Sequence, residues 1–303
     1  MFLQTERLIM RPWRDSDAES LYRLARDPAV GPIAGWPAHQ SLEESRRVLR
    51  EVLSAPETLA ITQKEDGQII GCIGLKLGDR SDMLQGENEC ELGYWLGKPF
   101  WGLGLMPEAA REMLRHAFAD LGMVKVWCGY YEGNERSRRV QEKCGFRYQW
   151  TTQAVEVPLM QETRVGHVSL LTREDWEWDS LYRAAQAVRR DRQVSEYVQA
   201  GGVAASILSA SGKIYTGVCV DTACTLGICA ERNAIFHMLT CGEQAFSKVL
   251  ALMPDGSTGA PCGACRELMA QLMPQSYKNV QIMMHYNQRR VVTLGELTPE
   301  WWI

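Results

Sequence analysis

The residues of this chain best suited to chemistry are three cysteines and a glutamate in its second half. Cys229 and Glu231 lie in the stretch Gly-Ile-Cys-Ala-Glu-Arg-Asn, and Cys262 and Cys265 follow a proline as Cys-Gly-Ala-Cys. Thiolates are ligands that Zn²⁺ prefers, and three protein ligands leave the fourth tetrahedral position open, as in catalytic zinc sites. A Cys-x-x-Cys pair at a helix start also profits from the positive end of the helix dipole. The spacing therefore predicts a catalytic zinc site, with Glu231 beside the metal and not bound to it.

Cys-Ala-Glu at 229–231, followed by Pro-Cys-x-x-Cys at 261–265, resembles the signature of the cytidine deaminase superfamily. The resemblance continues through 211–217 and 294–297, so it covers most of residues 178–303. It implies a three-layer α/β/α sandwich with a mixed sheet that forms dimers or tetramers. In this family zinc activates a water for attack on the ring carbon that bears the amino group, and a non-ligand glutamate moves protons. By position, the resemblance assigns zinc binding to Cys229, Cys262 and Cys265 and the proton shuttle to Glu231.

Two alternatives stay open for these cysteines. A fourth thiolate from Cys224 or Cys241 would close the site and make the zinc structural, and a Cys-x-x-Cys pair can also be a redox pair. Neither alternative explains the sequence Cys-Ala-Glu-Arg. Arg232 and Arg266 are candidates to offset the charge of three thiolates, and an ordinary salt-bridged surface position explains each equally well.

The candidate substrate positions depart from the family pattern. Cytidine deaminases read base and ribose with a Phe-containing segment and an Asn-x-Glu pair. Here Gly-Gly-Val-Ala-Ala at 201–205 lacks the Phe, and Cys219-Val-Asp221 stands in place of Asn-x-Glu. A site that hydrogen-bonds a substrate hydroxyl rejects analogues without it, so the missing Asn argues against plain ribose recognition. These changes, with Trp301 and Trp302 near the end, are more similar to the blasticidin-S-deaminase branch. We expect Trp301 either to stack on the ligand or to cover an edge of the core.

The first half carries a glycine-containing loop between a strand and a helix. An alternating pattern predicts a strand over 89–96, and Pro107 suits the first turn of a helix that runs to about residue 121. Between them, Gly102 and Gly104 allow the backbone to approach a ligand closely. Free amides at a helix start bind phosphate oxygens, so the loop is a candidate phosphate site, although an ordinary strand-to-helix turn gives the same pattern.

The arrangement Trp-Gly-x-Gly-x-Met-x-Glu-Ala resembles the acyl-CoA pyrophosphate loop of GNAT N-acetyltransferases. With the stretches 7–12, 134–137 and 142–146, residues 1 to about 172 are similar to the branch that includes the ribosomal-protein N-terminal acetyltransferases. The resemblance implies a GNAT fold, with a mixed sheet flanked by helices, and acetyl-CoA as cofactor. It also implies that strand 91–94 pairs with pantetheine. The implied cofactor-binding residues are Trp101, Gly102 and Gly104 at the pyrophosphate and Asn134 and Ser137 along the cofactor arm.

Acetyl transfer to an amine needs a base, directly or through water, because an ammonium has no lone pair. Glu91, at the strand beside the loop, is the candidate, and Glu89 is the second choice. A solvated carboxylate at a strand end is an equally good interpretation of either. Tyr130 and Tyr131 are candidates to protonate the leaving thiolate, and core packing is the alternative for them.

Composition sets the outer limits. The chain has 303 residues, 46% hydrophobic and 23% charged, with a net charge of −4, which fits two globular domains and gives no reason to expect nucleic-acid binding. No secretory signal or membrane span is evident, and ten cysteines fit a reducing cytoplasm. The basic cluster at 189–192 is interpreted as a solvated helix end. The predicted domains are 1–174, GNAT-like, and 175–303, deaminase-like, both of the α/β (α+β) class.

The sequence thus predicts a bifunctional enzyme of two domains that acts on small molecules. One half would deaminate a cytosine-containing nucleoside or analogue with Zn²⁺, and the other would transfer an acetyl group from acetyl-CoA to an unknown amine. The alternative is a deaminase that inactivates a blasticidin S-like antibiotic, fused to an acyl-CoA-binding or assembly module without turnover. We expect a homo-oligomer that forms through the deaminase-like domain.

Overall fold

The computed structural model describes residues 1–302. The chain divides into two compact units, Met1–Asp175 and a second unit that begins at Trp176. Each unit has its own sheet and its own buried core. None of the ten cysteines, all of which lie within residues 1–302, forms a disulfide.

The first unit is built on an eight-stranded sheet with the order β1-β2-β3-β4-β5-β6-β8-β7. All neighbouring strands are antiparallel except β5 and β6, which are parallel. The strands are β1 Leu3–Gln4, β2 Leu8–Pro12, β3 Thr58–Gln63, β4 Ile69–Leu77, β5 Glu89–Leu96, β6 Lys125–Tyr131, β7 Arg147–Val157 and β8 Glu162–Thr172.

The parallel pair β5 and β6 separates part-way along its length. Only three residue pairs connect the two strands, from Glu89 with Lys125 to Glu91 with Trp127. Beyond Glu91, strand β5 pairs with β4 alone, and beyond Trp127, strand β6 pairs with β8 alone. The sheet therefore opens into a cleft, and the backbone groups of β5 on that side are left without a strand partner.

Helices cover both faces of this sheet. The helices are α1 Ala18–Ala25, α2 Leu42–Val48, α3 Leu105–Arg115 and α4 Glu135–Lys143, and π-helical turns extend α2 over Leu49–Leu53 and α3 over His116–Asp120. Helices α1 and α2 pack with Ala60 and Cys72 in one cluster. Ile61 and Ile73 follow these residues in their strands, so they point to the opposite face, where they are fully buried and α3 packs. The predicted mixed sheet flanked by helices is confirmed.

Local features of the first unit follow from its sequence. The stretch 3–12 holds the two short strands β1 and β2, and Pro107 lies in the first turn of α3, as predicted. Asp17 does not cap α1 with its side chain, because its carboxylate binds the Arg11 guanidinium at 2.7 and 3.0 Å. Ser41 does cap α2, since its hydroxyl accepts from the Glu44 amide at 3.1 Å.

The second unit is a three-layer sandwich. Its sheet has the order β11-β10-β12-β13-β14, with β9 also paired to β10, and it is mixed because β12 and β13 are parallel. The elements are α5 Arg173–Val188, β9 Arg192–Ser195, β10 Val198–Ser209, β11 Ile214–Thr222, α6 Ala230–Thr240, β12 Phe246–Leu252, α7 Gly263–Leu272, β13 Gln281–His285, β14 Arg290–Thr293 and α8 Leu294–Leu297.

Alternate residues of the central strands bury themselves on opposite faces of this sheet. Leu208 and Leu250 pack with α5, through Trp178 and Leu181. Their strand neighbours, such as Ile207, pack on the other side with α6 and α7. This alternation puts one helix on one face and two on the other, which confirms the predicted α/β/α sandwich.

Candidate metal centre and cofactor-binding loop

Two helix starts bring the three predicted cysteine ligands together. Cys229 is the N-cap of α6 and Cys262 is the N-cap of α7, both with extended backbone, and Cys265 lies in the first turn of α7. The Sγ atoms of Cys229 and Cys262 are 3.4 Å apart, and those of Cys262 and Cys265 are 3.5 Å apart. All three sulfurs lie within 4.8 Å of one another. The spacing of these cysteines and their resemblance to the deaminase signature both predict this cluster.

The geometry of the cluster fits a zinc ion. Tetrahedral coordination with Zn–S bonds of about 2.3 Å places ligand sulfurs about 3.8 Å apart, close to the separations found here. Within the described part of the chain, no fourth cysteine, histidine or carboxylate joins the group, so neither Cys224 nor Cys241 closes the site. The donor set is therefore that of a zinc site with one open position.

The surroundings act differently on the three thiols, because burial raises the pKa of Cys229 and of Cys265, whereas the pKa of Cys262 is lowered. Burial raises the pKa of Cys262, but backbone amides of Ala264 and Cys265 and the neighbouring thiols outweigh it and lower that pKa below its usual range. The Arg232 guanidinium lies 3.9 Å from the Cys229 Sγ, as expected for a cation that offsets thiolate charge. Arg266 does not contact the sulfurs in this way, since its guanidinium donates to the carbonyls of Pro261 and Leu297.

Glu231 is held beside the sulfurs without being part of the cluster. It lies in the first turn of α6, is only 5% exposed, and its carboxyl contacts the Cys265 thiol. Burial raises the pKa of Glu231. Gly217 of β11 allows α6 to come this close to the sheet, since a Cβ there would lie 2.3 Å from the Ala234 amide nitrogen.

A cavity of about 470 Å³ opens at the cluster, which is a usual size for a small-molecule site. Besides Glu231, Arg232 and two of the cysteines, its lining includes the predicted substrate positions Cys219 and Asp221. Trp301 is not among the residues that line it. Its indole donates to Glu267 at 2.9 Å and its ring packs on the core, so a substrate role for Trp301 stays a prediction.

Cys219 is tied to the wall of this cavity. The ladder between β10 and β11 is interrupted between Ala200 and Ala204. The amide of Val203, in the interrupted segment, donates to the Cys219 Sγ at 3.2 Å. The thiol therefore serves as an acceptor for the protein's own backbone.

The glycine loop of the first unit presents free amides. Gly102 and Gly104 have φ of 78° and 76°, a left-handed conformation that favours glycine. In the described chain the amides of residues 102–104 donate to no intramolecular acceptor, and α3 begins at Leu105 with its own unpaired first amides. Trp101 anchors the loop, because its indole donates to the Leu96 carbonyl at 2.8 Å. The Arg136 guanidinium lies 4.3 Å from the Trp101 ring centre and adds positive charge at the rim.

Asn134 and Ser137 lie at the start of α4, next to the cleft in the sheet. The Asn134 side chain caps the helix by accepting from the Ser137 amide at 3.2 Å. The Ser137 hydroxyl is 3.1 Å from the Tyr94 hydroxyl and 3.3 Å from the Gln141 amide nitrogen. Tyr94 comes from β5, so this polar group spans the cleft between β5 and α4.

Known families match both units. Residues 7–147 match the model of the acetyltransferase (GNAT) domain, and residues 177–284 match that of the cytidine and deoxycytidylate deaminase zinc-binding region. An uncharacterized N-acetyltransferase of Mycobacterium bovis is 31% identical over 136 residues, which are 44% of this chain and 81% of that relative. The chain belongs to the GNAT acetyltransferases. It joins this GNAT domain to a deaminase-family zinc domain, so both resemblances stated from the sequence are confirmed.

Two further similarities concern the GNAT domain. The Bacillus subtilis protein YdaF, whose name places it among ribosomal N-acetyltransferases, is 36% identical over 81 residues, or 27% of this chain and 42% of that relative. A solved GNAT-family acetyltransferase from Bacillus anthracis has a TM-score of 0.51 and 21% identity over 57% of this chain and 99% of that chain. This second similarity shows the shared fold. No helix in the described residues is long and apolar enough to cross a membrane.

Glu91, the candidate base of the GNAT domain, has a hydrogen-bond partner on each of its carboxylate oxygens. Glu91 is buried, and its carboxylate binds the Lys76 ammonium at 2.6 Å and accepts from the Ser81 hydroxyl at 2.7 Å. For Glu89, burial raises the pKa, but hydrogen bonds from Trp127, the Gln85 amide and Lys125 outweigh it and lower the pKa.

The two predicted tyrosines contact other residues than Tyr94 does. Tyr130 stacks on His167 with ring centres 4.7 Å apart. Tyr131 lies against Gly35 and beneath the Arg164 guanidinium. Tyr94 belongs to the strand predicted to pair with pantetheine, but the contacts of its hydroxyl and of Gln141 with Ser137 were not predicted, although the i,i+4 spacing of Gln141 from Ser137 is a signal for the second.

Proposed function

We propose that this protein is a bifunctional enzyme that deaminates a cytosine-containing nucleoside or analogue with zinc and transfers acetyl groups from acetyl-CoA to an amine. The observation that carries the first activity is the cluster of three thiols, with buried Glu231 beside it, at the wall of one cavity. The membership of both domains in enzyme families supports the pair of activities.

In the proposed deaminase site, Cys229, Cys262 and Cys265 would hold the zinc ion. When bound, zinc supplies a Lewis acid that makes a water more acidic. Glu231 takes a proton from the attacking water and carries it to the amino group, which leaves as ammonia. The ring carbon gains a C–O bond and loses its C–N bond, so cytosine becomes uracil. Arg232 keeps the charge of the three thiolates balanced.

Substrate selection would fall to the residues that replace the family's nucleoside readers. Cys219 accepts a hydrogen bond from the Val203 amide, and a thiol is a weaker partner for a ribose hydroxyl than an Asn side chain. Asp221 lines the same cavity and offers a negative charge. These features favour a cytosine compound whose sugar differs from plain ribose.

For acetyl transfer, the amides around Trp101, Gly102 and Gly104 would hold the pyrophosphate. The cleft between β5 and β6 leaves strand groups free to pair with the pantetheine arm, alongside Asn134 and Ser137. The amine attacks the thioester carbonyl, a C–N bond forms, the C–S bond breaks, and the thiolate takes up a proton. Glu91 is the proposed base, directly or through water.

The decisive experiment measures ammonia release from cytidine, deoxycytidine and blasticidin S by zinc-loaded protein and by its Glu231→Gln variant. The wild type should turn over at least one compound, and the variant should lose activity by about 10³-fold or more while keeping zinc. Full activity of Glu231→Gln would remove the assigned role. Purified protein without zinc but with an intact fold would count against the metal site.

A second candidate keeps the deaminase and makes the GNAT domain an acyl-CoA-binding module. The observation in its favour is that both Glu91 oxygens already have partners, Lys76 and Ser81. Incubation with acetyl-CoA and a panel of amines, followed by mass spectrometry, separates the two. An enzyme consumes acetyl-CoA and yields an acetylated amine, whereas a module binds acetyl-CoA unchanged.

A further inference from the structure

Arg7 joins the N-terminal strands to the glycine loop and to the first turn of α3. Its backbone amide donates to Oε1 of Glu108 at 2.9 Å, and its Nε donates to Oε2 at 2.7 Å. A second guanidinium nitrogen lies 2.6 Å from Oε2, and a third donates to the Leu103 carbonyl at 3.1 Å. One side chain thus contacts both the loop and the helix that follows it.

The carboxylate of Glu108 would repel an anion bound at the start of α3. Glu108 lies in the first turn of α3, at the helix end whose free amides face the glycine loop. Its negative charge suits the helix dipole, but it opposes a pyrophosphate that uses the same amides. An anion binds at these amides more favourably when a nearby cation neutralises Glu108.

The N-terminal turn fixes Arg7 in that position. The Thr5 hydroxyl donates to Oε1 of Glu108 and accepts from the Leu8 amide at 3.0 Å, and the Thr5 amide donates to the Leu8 carbonyl at 3.0 Å. Burial raises the pKa of Glu108, but the hydrogen bonds from Thr5 and Arg7 outweigh it and lower the pKa, so the carboxylate stays ionised.

Arg7 also lies against the loop itself. A Cβ added to Gly104 would be 3.7 Å from an Arg7 guanidinium nitrogen, and the Arg7 side chain stays 47% exposed. The guanidinium is thus at the loop surface and not hidden beneath it. The Leu103 carbonyl accepts from the guanidinium, so the carbonyl oxygen of the loop faces Arg7. The amides of the loop stay available to a ligand.

We infer that Arg7 is a positioning residue for the acyl-CoA site, which orders the pyrophosphate loop and cancels the charge of Glu108. The inference rests on the proposed binding of acetyl-CoA by this loop. Arg7 acts through Glu108 and the Leu103 carbonyl, so its effect should be confined to ligands that carry the pyrophosphate. It should change affinity for acetyl-CoA more than the rate of transfer once the ligand is bound.

The test uses the full chain with Arg7→Gln, Glu108→Gln and the double variant, and measures Kd for acetyl-CoA and for S-acetylpantetheine, which lacks the pyrophosphate. Arg7→Gln should weaken acetyl-CoA about tenfold, because Glu108 is then an uncompensated charge at the anion site. The double variant should regain most of the loss, since neither charge remains. Affinity for S-acetylpantetheine should be the same in all forms.

Arg50→Gln is the matched control, because it breaks an exposed Arg–carboxylate pair with Asp15 and should bind acetyl-CoA like the wild type. Unchanged binding by Arg7→Gln would overturn the inference. A double variant no better than Arg7→Gln would also overturn it, since charge cancellation would then play no part. Failure of the wild type to bind acetyl-CoA would overturn the proposed acyl-CoA site, and the inference with it.

Discussion

Cys219 stands where the cytidine deaminase pattern has an Asn, and it lines the cavity of the second unit. Its sulfur lines the cavity and accepts from the Val203 amide. Polar groups that pair with a substrate hydroxyl give large discrimination, because an analogue without the hydroxyl leaves them unpaired. Changing this one side chain should therefore change which sugar the site accepts.

We expect Cys219→Asn to raise kcat/KM for cytidine about tenfold, because the amide can hydrogen-bond a ribose hydroxyl. Zinc content should not change, since Cys219 is outside the metal cluster. Steady-state ammonia release with cytidine and blasticidin S measures the effect. Cys224→Asn is the control, as this exposed cysteine lies outside the residues that line the cavity. An equal gain in both variants would show that Cys219 does not read the sugar.

At the scale of elements, the sequence was most informative where the chemistry is local. Strand β5 has the predicted limits, and the two cysteine motifs cap α6 and α7 as their spacing indicated. These features depend on alternation, on capping and on the fixed geometry of one helix turn.

Side-chain pairs that depend on the register between strands could not be predicted from the sequence in this way. Glu91 meets Lys76 because β4 and β5 pair at those residues, and the cleft exists because β6 leaves β5 after three pairs. Arg7 meets Glu108 across about a hundred positions of sequence. Alternation gives the face on which a side chain lies, but not its neighbour on the next strand or helix.

Asp179 makes another contact of this kind, which connects α5 to the turn between β13 and β14. The carboxylate is buried, accepts from the Tyr286 hydroxyl at 2.6 Å and pairs with Arg289. Asp179→Ala should lower the free energy of unfolding by about 2 kcal/mol, because it removes a buried carboxylate that accepts from the Tyr286 hydroxyl and pairs with the half-buried Arg289. Urea unfolding of the second-unit signal measures this. Glu300→Ala, at an exposed site, should stay within about 0.5 kcal/mol of the wild type, and an equally small effect at Asp179 would contradict the prediction.

Residues 1–302 hold two candidate sites of different chemistry, one in each compact unit. The proposed zinc ligands come from the starts of α6 and α7, both in the unit that begins at Trp176. The glycine loop and the cleft in the sheet belong to Met1–Asp175. A ligand that binds only the folded state stabilises the unit that binds it, by an amount set by its concentration relative to Kd.

Removal of zinc should therefore lower the thermal stability of the second unit. The metal would tie two helix starts together, and thiols 3.4 to 3.5 Å apart lose that tie when a chelator takes the ion. Calorimetry of the full chain with and without chelator measures the shift, and zinc added back should reverse it. In the same experiment, acetyl-CoA at about 100 times its Kd should raise the free energy of unfolding of the first unit by about 2.7 kcal/mol. Chelation that abolishes ammonia release without moving any unfolding transition would mean that the cysteines hold their positions through α6, α7 and the core alone, with zinc serving the reaction and not the fold.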